Sequence, residues 1–182
     1  LGLISVRNLR QRATPATQII EALAERITHR IGVRTPVTVA RVDGLPSALV
    51  IGFYRSMVLL PGSTVTGMSP EALEAVLAHE FAHIQRWDRW MNLFQRLTEA
   101  LLFYHPFVWW ISKHITHERE LCCDAVAIEV CGDRVLYVQA LLQMAEQGSP
   151  APALALSSHG GNFSRRVRAI LGSNASFDAK AQ

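Results

Sequence analysis

Between Ser69 and Asp88 the chain carries a helix that the rest of the fold has to accommodate. Ser69-Pro70-Glu71-Ala72 is a strong helix start: Ser at the N-cap, Pro in the first turn where its missing N–H costs nothing, and acids at Glu71 and Glu74 near the positive helix end. From there the pattern predicts one helix through Asp88, mostly apolar, interrupted by His79-Glu80-Phe81-Ala82-His83.

Residues four apart share a helix face, so both imidazoles can point at one metal ion while Glu80, beside the first, reaches a water in the same place. This is the H-E-x-x-H pattern, and its placement inside a capped helix suits the chemistry. A catalytic zinc needs a third protein ligand and an open position, and a carboxylate is a common choice. Downstream, Thr116-His-Glu-Arg-Glu-Leu-Cys-Cys-Asp124 offers His117, Glu118, Glu120 and Asp124. Glu120 is favoured because Asp124 lies one turn on, where it can accept the ring N–H of a ligating His and hold its tautomer. The expected set is His79, His83 and Glu120 around one Zn²⁺ per chain, with Asp124 behind them and Glu80 as general base. Adjacent Cys122 and Cys123 lack the spacing of a structural zinc site and are expected to be packing residues. A di-iron reading of Glu80-x-x-His83 fails because no second Glu-x-x-His exists in the chain.

Upstream, Thr17 to Ile31 has helical apolar spacing and closes at Gly32. Val37–Val42, Ala48–Ile51 and Met57–Leu60 are short apolar runs separated by turn signals, and predict a three- or four-stranded sheet between about 37 and 61. Pro46 to Gly52 is the expected edge. There an extended peptide would pair with the backbone of Ser47, Ala48, Leu49 and Val50. Downstream, helices are predicted over 89–104, 107–130 and 133–147, followed by a linker. The order is α+β: a short antiparallel or mixed sheet, an active-site helix and several further helices. The expected organisation is a juxtamembrane segment over 1–15, the zinc peptidase domain over 16–147, and a linker and C-terminal segment over 148–182.

Composition excludes more than it assigns. An apolar fraction of 49% and a charged fraction of 18% are ordinary for one globular domain and argue against disorder or a coiled coil. The net charge of +3 with scattered basic residues gives no reason to expect a nucleic-acid partner. Three cysteines make no disulfide framework and suit a reducing compartment. The opening apolar residues before Arg7, Arg10 and Arg12 read equally as the cytoplasmic end of a membrane span or as a plain amphipathic terminus. The longest apolar run, Ala100 to Ile111, falls short of the roughly 20 residues of a span. Phe103 to Trp110 is read as core packing ahead of contact with a bilayer surface.

Taken together, His79-Glu-Phe-Ala-His-Ile-Gln-Arg-Trp-Asp88, Asn92, Phe103-Tyr-His-Pro106, Trp109-Trp110 and Arg119-Glu-Leu-Cys-Cys-Asp124 resemble the BlaR/MecR-type antirepressor metallopeptidases over about residues 1 to 145. The resemblance implies a compact gluzincin fold with Glu120 as third ligand and Asp124 as its supporting carboxylate. It also implies a protein or peptide substrate and a bacterial inner-membrane protein, attached through flanking helices, with the catalytic domain on the cytoplasmic side. Ser158-His159 and Arg166-Val167 are similar, more distantly, to a pattern of the HtpX and CAAX-prenyl-peptidase group, which implies His159 as an oxyanion stabiliser. Two other functions fit the same residues: a zinc-stabilised signalling module without catalysis, and a housekeeping membrane-protein protease.

Overall fold

In the computed structural model, residues 3–148 and 160–172 are described. Helix α1 (Leu3–Arg12) and the two-residue strand β1 (Thr14–Pro15) precede α2 (Gln18–Ile31), which ends on Gly32 in the left-handed conformation (φ 75°). Strands β2 (Val37–Val42), β3 (Leu49–Ile51) and β4 (Ser56–Pro61) follow, then helices α3 (Gly62–Gly67), α4 (Pro70–Gln85), α5 (Asp88–Leu101), α6 (Pro106–Cys131), α7 (Arg134–Gly148) and α8 (Gly160–Gly172). The α+β expectation holds.

The sheet is mixed, in the order β1-β2-β4-β3: β2 and β4 run parallel, and β1 and β3 flank them antiparallel. Its period-2 alternation separates two apolar layers. Val39, Val58 and Leu60 face the main core, whereas Ala40, Val42 and Leu59 face Leu9 and Ala13 at the end of α1. β3 is an edge strand. Gly52 (φ 85°) turns the chain from β3 back into β4, where a Cβ would collide with the Arg55 carbonyl oxygen.

Helix α4 sits in the middle. Ala75, Leu77, Ala78, Phe81 and Ala82 are fully buried, because α2, α6 and α7 cover it on different sides. A helix apolar around its circumference is stable only when surrounded in this way. The Ser69 hydroxyl accepts from Ala72 N–H at 3.2 Å and starts it, as the sequence predicts.

Three expectations are corrected. The helix does not continue through Asp88. Trp87 takes a left-handed conformation (φ 60°), which a bulky side chain adopts at a cost of roughly 1–3 kcal/mol, and the chain turns a corner before α5. Residues 103–110 are not core: Phe103, Phe107 and Trp110 are mostly exposed, since α5 and α6 meet through polar residues instead. Cys122 is exposed on α6, one position off its buried face, and only Cys123 is buried. Within the C-terminal segment, residues 160–172 form α8, which packs on α6 and α7 with Ile170 in the core.

Candidate metal centre

The centre lies where α4 crosses α6. His79 and His83, one turn apart on α4, present their rings nearly perpendicular (88°) with centroids 4.8 Å apart. Glu120, from the middle of α6, stands between them, its carboxylate 3.6 Å from His79 Nε2 and 3.7 Å from His83 Nε2. Ligand atoms held tetrahedrally at about 2.0–2.2 Å from a zinc ion lie about 3.3–3.6 Å from one another, and one atom from each of these residues lies within 4.8 Å of the others, so the three side chains can close on such an ion with a modest shift. Two neutral imidazoles and a carboxylate are also the donor chemistry zinc accepts.

Each imidazole is held from behind by its own carboxylate. Asp124, one turn past Glu120, places Oδ1 3.2 Å from His79 Nδ1, and Asp88 Oδ2 lies 2.7 Å from His83 Nδ1. A carboxylate only accepts, so both rings carry their proton on Nδ1 and turn Nε2 toward Glu120. Tyr137, on α7, is buried with its hydroxyl donating to Asp124 at 2.6 Å and lying 2.9 Å from His79 Nδ1. Arg166, on α8, spans both acids: Nε donates to Asp124 Oδ2 at 2.8 Å, Nη2 to Asp124 Oδ1 at 2.5 Å, and Nη1 approaches Glu120 at 3.2 Å. Cys123 lies with its sulfur 3.2 Å from His83 Nδ1 and 3.5 Å from Asp88.

The electrostatics follow from this packing. Burial opposes charge on Asp124, but hydrogen bonds from His79 and Arg166 outweigh it and hold the carboxyl far below the ordinary range. Glu120 is lowered too: burial works against it, and the His79 contact and the Arg166 charge prevail. In the metal-free centre burial likewise opposes protonation of His79, yet Asp124, Glu120 and the charge of Glu80 push it up to about 9, so a bound ion would replace the proton on Nε2. Burial and then the charge of Asp124 raise the Tyr137 phenol, and burial and Asp88 raise the Cys123 thiol, so both are neutral donors near pH 7.

A cleft of about 280 Å³ opens over the centre. Glu80 lines it beside His79 and His83, and so do Ser47 and Ala48, which lead into edge strand β3 with Leu49 and Val50. His117 and Glu118 are not brought to the centre by any recorded contact with it, and Glu118 pairs loosely with His114 at 3.9 Å on the exposed side of α6. His159 lies outside the described residues.

Three residues of the centre escape a reading of the sequence. Asp88 lies five residues past His83, a spacing that places it off the ligand face of a continuous helix; only the corner at Trp87 brings it back. Tyr137 is one apolar position among many in α7. Arg166 has its signal in the Arg-Val pair of the C-terminal segment, but nothing local says which acids it meets.

Fold and centre together give an α+β domain whose central helix, with α6, carries residues that could hold a metal ion. A family model described as BlaR1 peptidase M56 matches residues 2–170, and the chain belongs to that family. Among individual proteins, it is 28% identical to the regulatory protein BlaR1 of Bacillus licheniformis over 57% of this chain and 17% of that one. It is 19% identical to the methicillin resistance mecR1 protein of Staphylococcus aureus over 59% of this chain and 19% of the relative. A protease HtpX homolog of Janthinobacterium is 38% identical over 35% of this chain and 22% of the relative. The chain thus spans about a fifth of the length of these relatives.

Proposed function

We propose that this chain is the zinc-dependent endopeptidase domain of a membrane-associated bacterial protein, acting in regulatory signalling by cleaving a protein or peptide. The observation that carries the reading is the convergence of His79 Nε2, His83 Nε2 and Glu120, within 3.7 Å of the shared carboxylate, beside Glu80 in an open cleft. When bound there, Zn²⁺ would supply Lewis-acid polarisation of the scissile carbonyl and lower the pKa of a coordinated water.

This chain's residues do the rest. Glu80 removes a proton from the attacking water and returns it to the leaving amine. Asp124 and Asp88 keep the two imidazoles in the tautomer that presents Nε2, and Arg166 balances the charge of Glu120 and Asp124. The substrate runs extended along β3, taking main-chain hydrogen bonds from the free edge over Ser47 to Val50. The inner-membrane location with the domain on the cytoplasmic side belongs to the same proposal, with attachment through flanking helices; no helix among the described residues is long and apolar enough to cross a membrane.

Replacing Glu80 with Gln tests the reading. About one zinc per chain should remain, by emission spectroscopy, while hydrolysis of a peptide library falls on the order of 10²–10⁴-fold, the usual worth of a positioned acid–base group. Turnover at the native rate would sink the mechanism. Intact signalling in cells by the same variant would favour the non-catalytic module.

A further inference from the structure

The hairpin of α5 and the start of α6 is built the wrong way round for water. Its outside carries Phe94, Leu97, Leu101, Phe103, Phe107 and Trp110, each 55–68% exposed. Its inside is polar: Gln95, Glu99 and Ser112 are buried between the two helices. Gln95 Nε2 donates to the Ser112 carbonyl and to Thr116 Oγ1, both at 3.1 Å, and Arg119 donates to Gln95 Oε1 at 2.6 Å. Glu99 accepts from the Ser112 hydroxyl and from Arg96. An apolar surface of this extent marks an interaction site.

We infer that this hairpin seats in the headgroup–acyl boundary of an anionic lipid bilayer. Four observations choose that occupant over a protein groove or a second copy. The apolar face of α5 continues across the connecting turn and onto the start of α6, a surface broader than the single-helix stripe that docks in a groove. The tip holds Tyr104, Trp109 and Trp110, residue types enriched at the membrane–water interface. From Arg89 to Lys113 the one acid is Glu99, which is buried and paired, so the exposed charge that flanks the apolar surface is basic. The interior polar groups bond one another, so entry into a medium of low dielectric leaves them satisfied. Helix α5, at 14 residues, is about 21 Å long, less than the roughly 30 Å of the hydrocarbon core, so it lies in the boundary and does not cross.

This deepens the membrane-associated reading above without depending on catalysis, and the test keeps the two apart. All four tryptophans of the chain, Trp87, Trp90, Trp109 and Trp110, lie on or beside the hairpin, so their fluorescence reports on it and not on the basic N-terminal helix. The full chain is mixed with vesicles of phosphatidylcholine, with or without phosphatidylglycerol, some bearing brominated acyl chains. Expected are cosedimentation at least tenfold tighter with phosphatidylglycerol, weakening with salt, and quenching by the bromines. A Phe103→Ser/Trp110→Ser variant with native circular dichroism should bind at least tenfold more weakly, while Glu80→Gln binds as the native chain does. Binding without quenching, no binding to either vesicle, equal binding by the double variant, or a lipid-free dimer that shields the tryptophans would each overturn the proposal.

Discussion

Helix α6 runs through two regions of opposite construction. Toward its C-terminal end, Glu120 and Asp124 turn inward among His79, Tyr137 and Arg166, and this polar group is enclosed on several sides by α4, α7 and α8. Toward its N-terminal end, the same helix packs on α5 through Gln95, Glu99 and Ser112 and leaves its aromatic side chains outside. Both regions bury polar groups that bond one another. In the first, the charges are those of buried Asp124 and of Glu120 and Arg166 at the wall of the cleft, so removing one member leaves the others unbalanced. In the second, a single buried carboxylate, Glu99, is bonded by neutral groups and by the exposed Arg96, and the exposed apolar residues contribute little to folding in water. Polar burial therefore constrains α6 strongly at one end and weakly at the other.

The sharpest test of this difference is Arg166→Ala. It leaves Asp124 and Glu120 without their guanidinium and should destabilise the metal-free domain by about 3 kcal/mol in urea titration, the scale for breaking a buried ion pair. A loss under 1 kcal/mol would mean that the two regions differ less than their burial suggests. Tyr137→Phe removes only a hydroxyl, and should cost about 1–2 kcal/mol and weaken zinc binding roughly tenfold in competition with a chelator. At the other end, Glu99 is held below the ordinary carboxylate value first by the Ser112 hydroxyl and, against burial, by Arg96. A depressed pKa in the folded state supports stability above the unfolded value near 4.5 and loses that support as pH falls through the folded one. The stability gap between native protein and Glu99→Gln should accordingly be present at pH 7 and close below about pH 4.5; a gap independent of pH would remove Glu99 from the account. The smallest effect is expected from Trp110→Ser, within about 0.5 kcal/mol in lipid-free buffer, as for other exposed positions.

The same contrast explains what could be read before any coordinates. Local signals carried far: Ser69 and Pro70 start α4, Gly32 and Gly132 stop α2 and α6, and the β-branched runs from Val37 to Leu60 form strands. The four-residue spacings that join His79 to His83 and Glu120 to Asp124 place each pair on one face of its helix. What failed was non-local or one-sided. Aromatic density over 103–110 suggested burial, because composition cannot say which side of a helix a neighbour occupies. The corner at Trp87 has neither Gly nor Pro to announce it, and Asp88 was lost with it. Tyr137 and Arg166 reach Asp124 from 13 and 42 positions along the chain, distances at which no periodicity speaks.

That last separation has a consequence for how the protein is made. A ribosome adds about 5–20 residues per second, so roughly 2–8 seconds pass between the synthesis of Asp124 and that of Arg166. During that interval Glu120 and Asp124 exist without the guanidinium that neutralises them. The apolar framework of α2, α4 and the sheet can assemble early, but the charged heart of the domain is balanced only when α8 emerges. A nascent chain stalled before α8 is a scaffold with its acids still seeking a counterion.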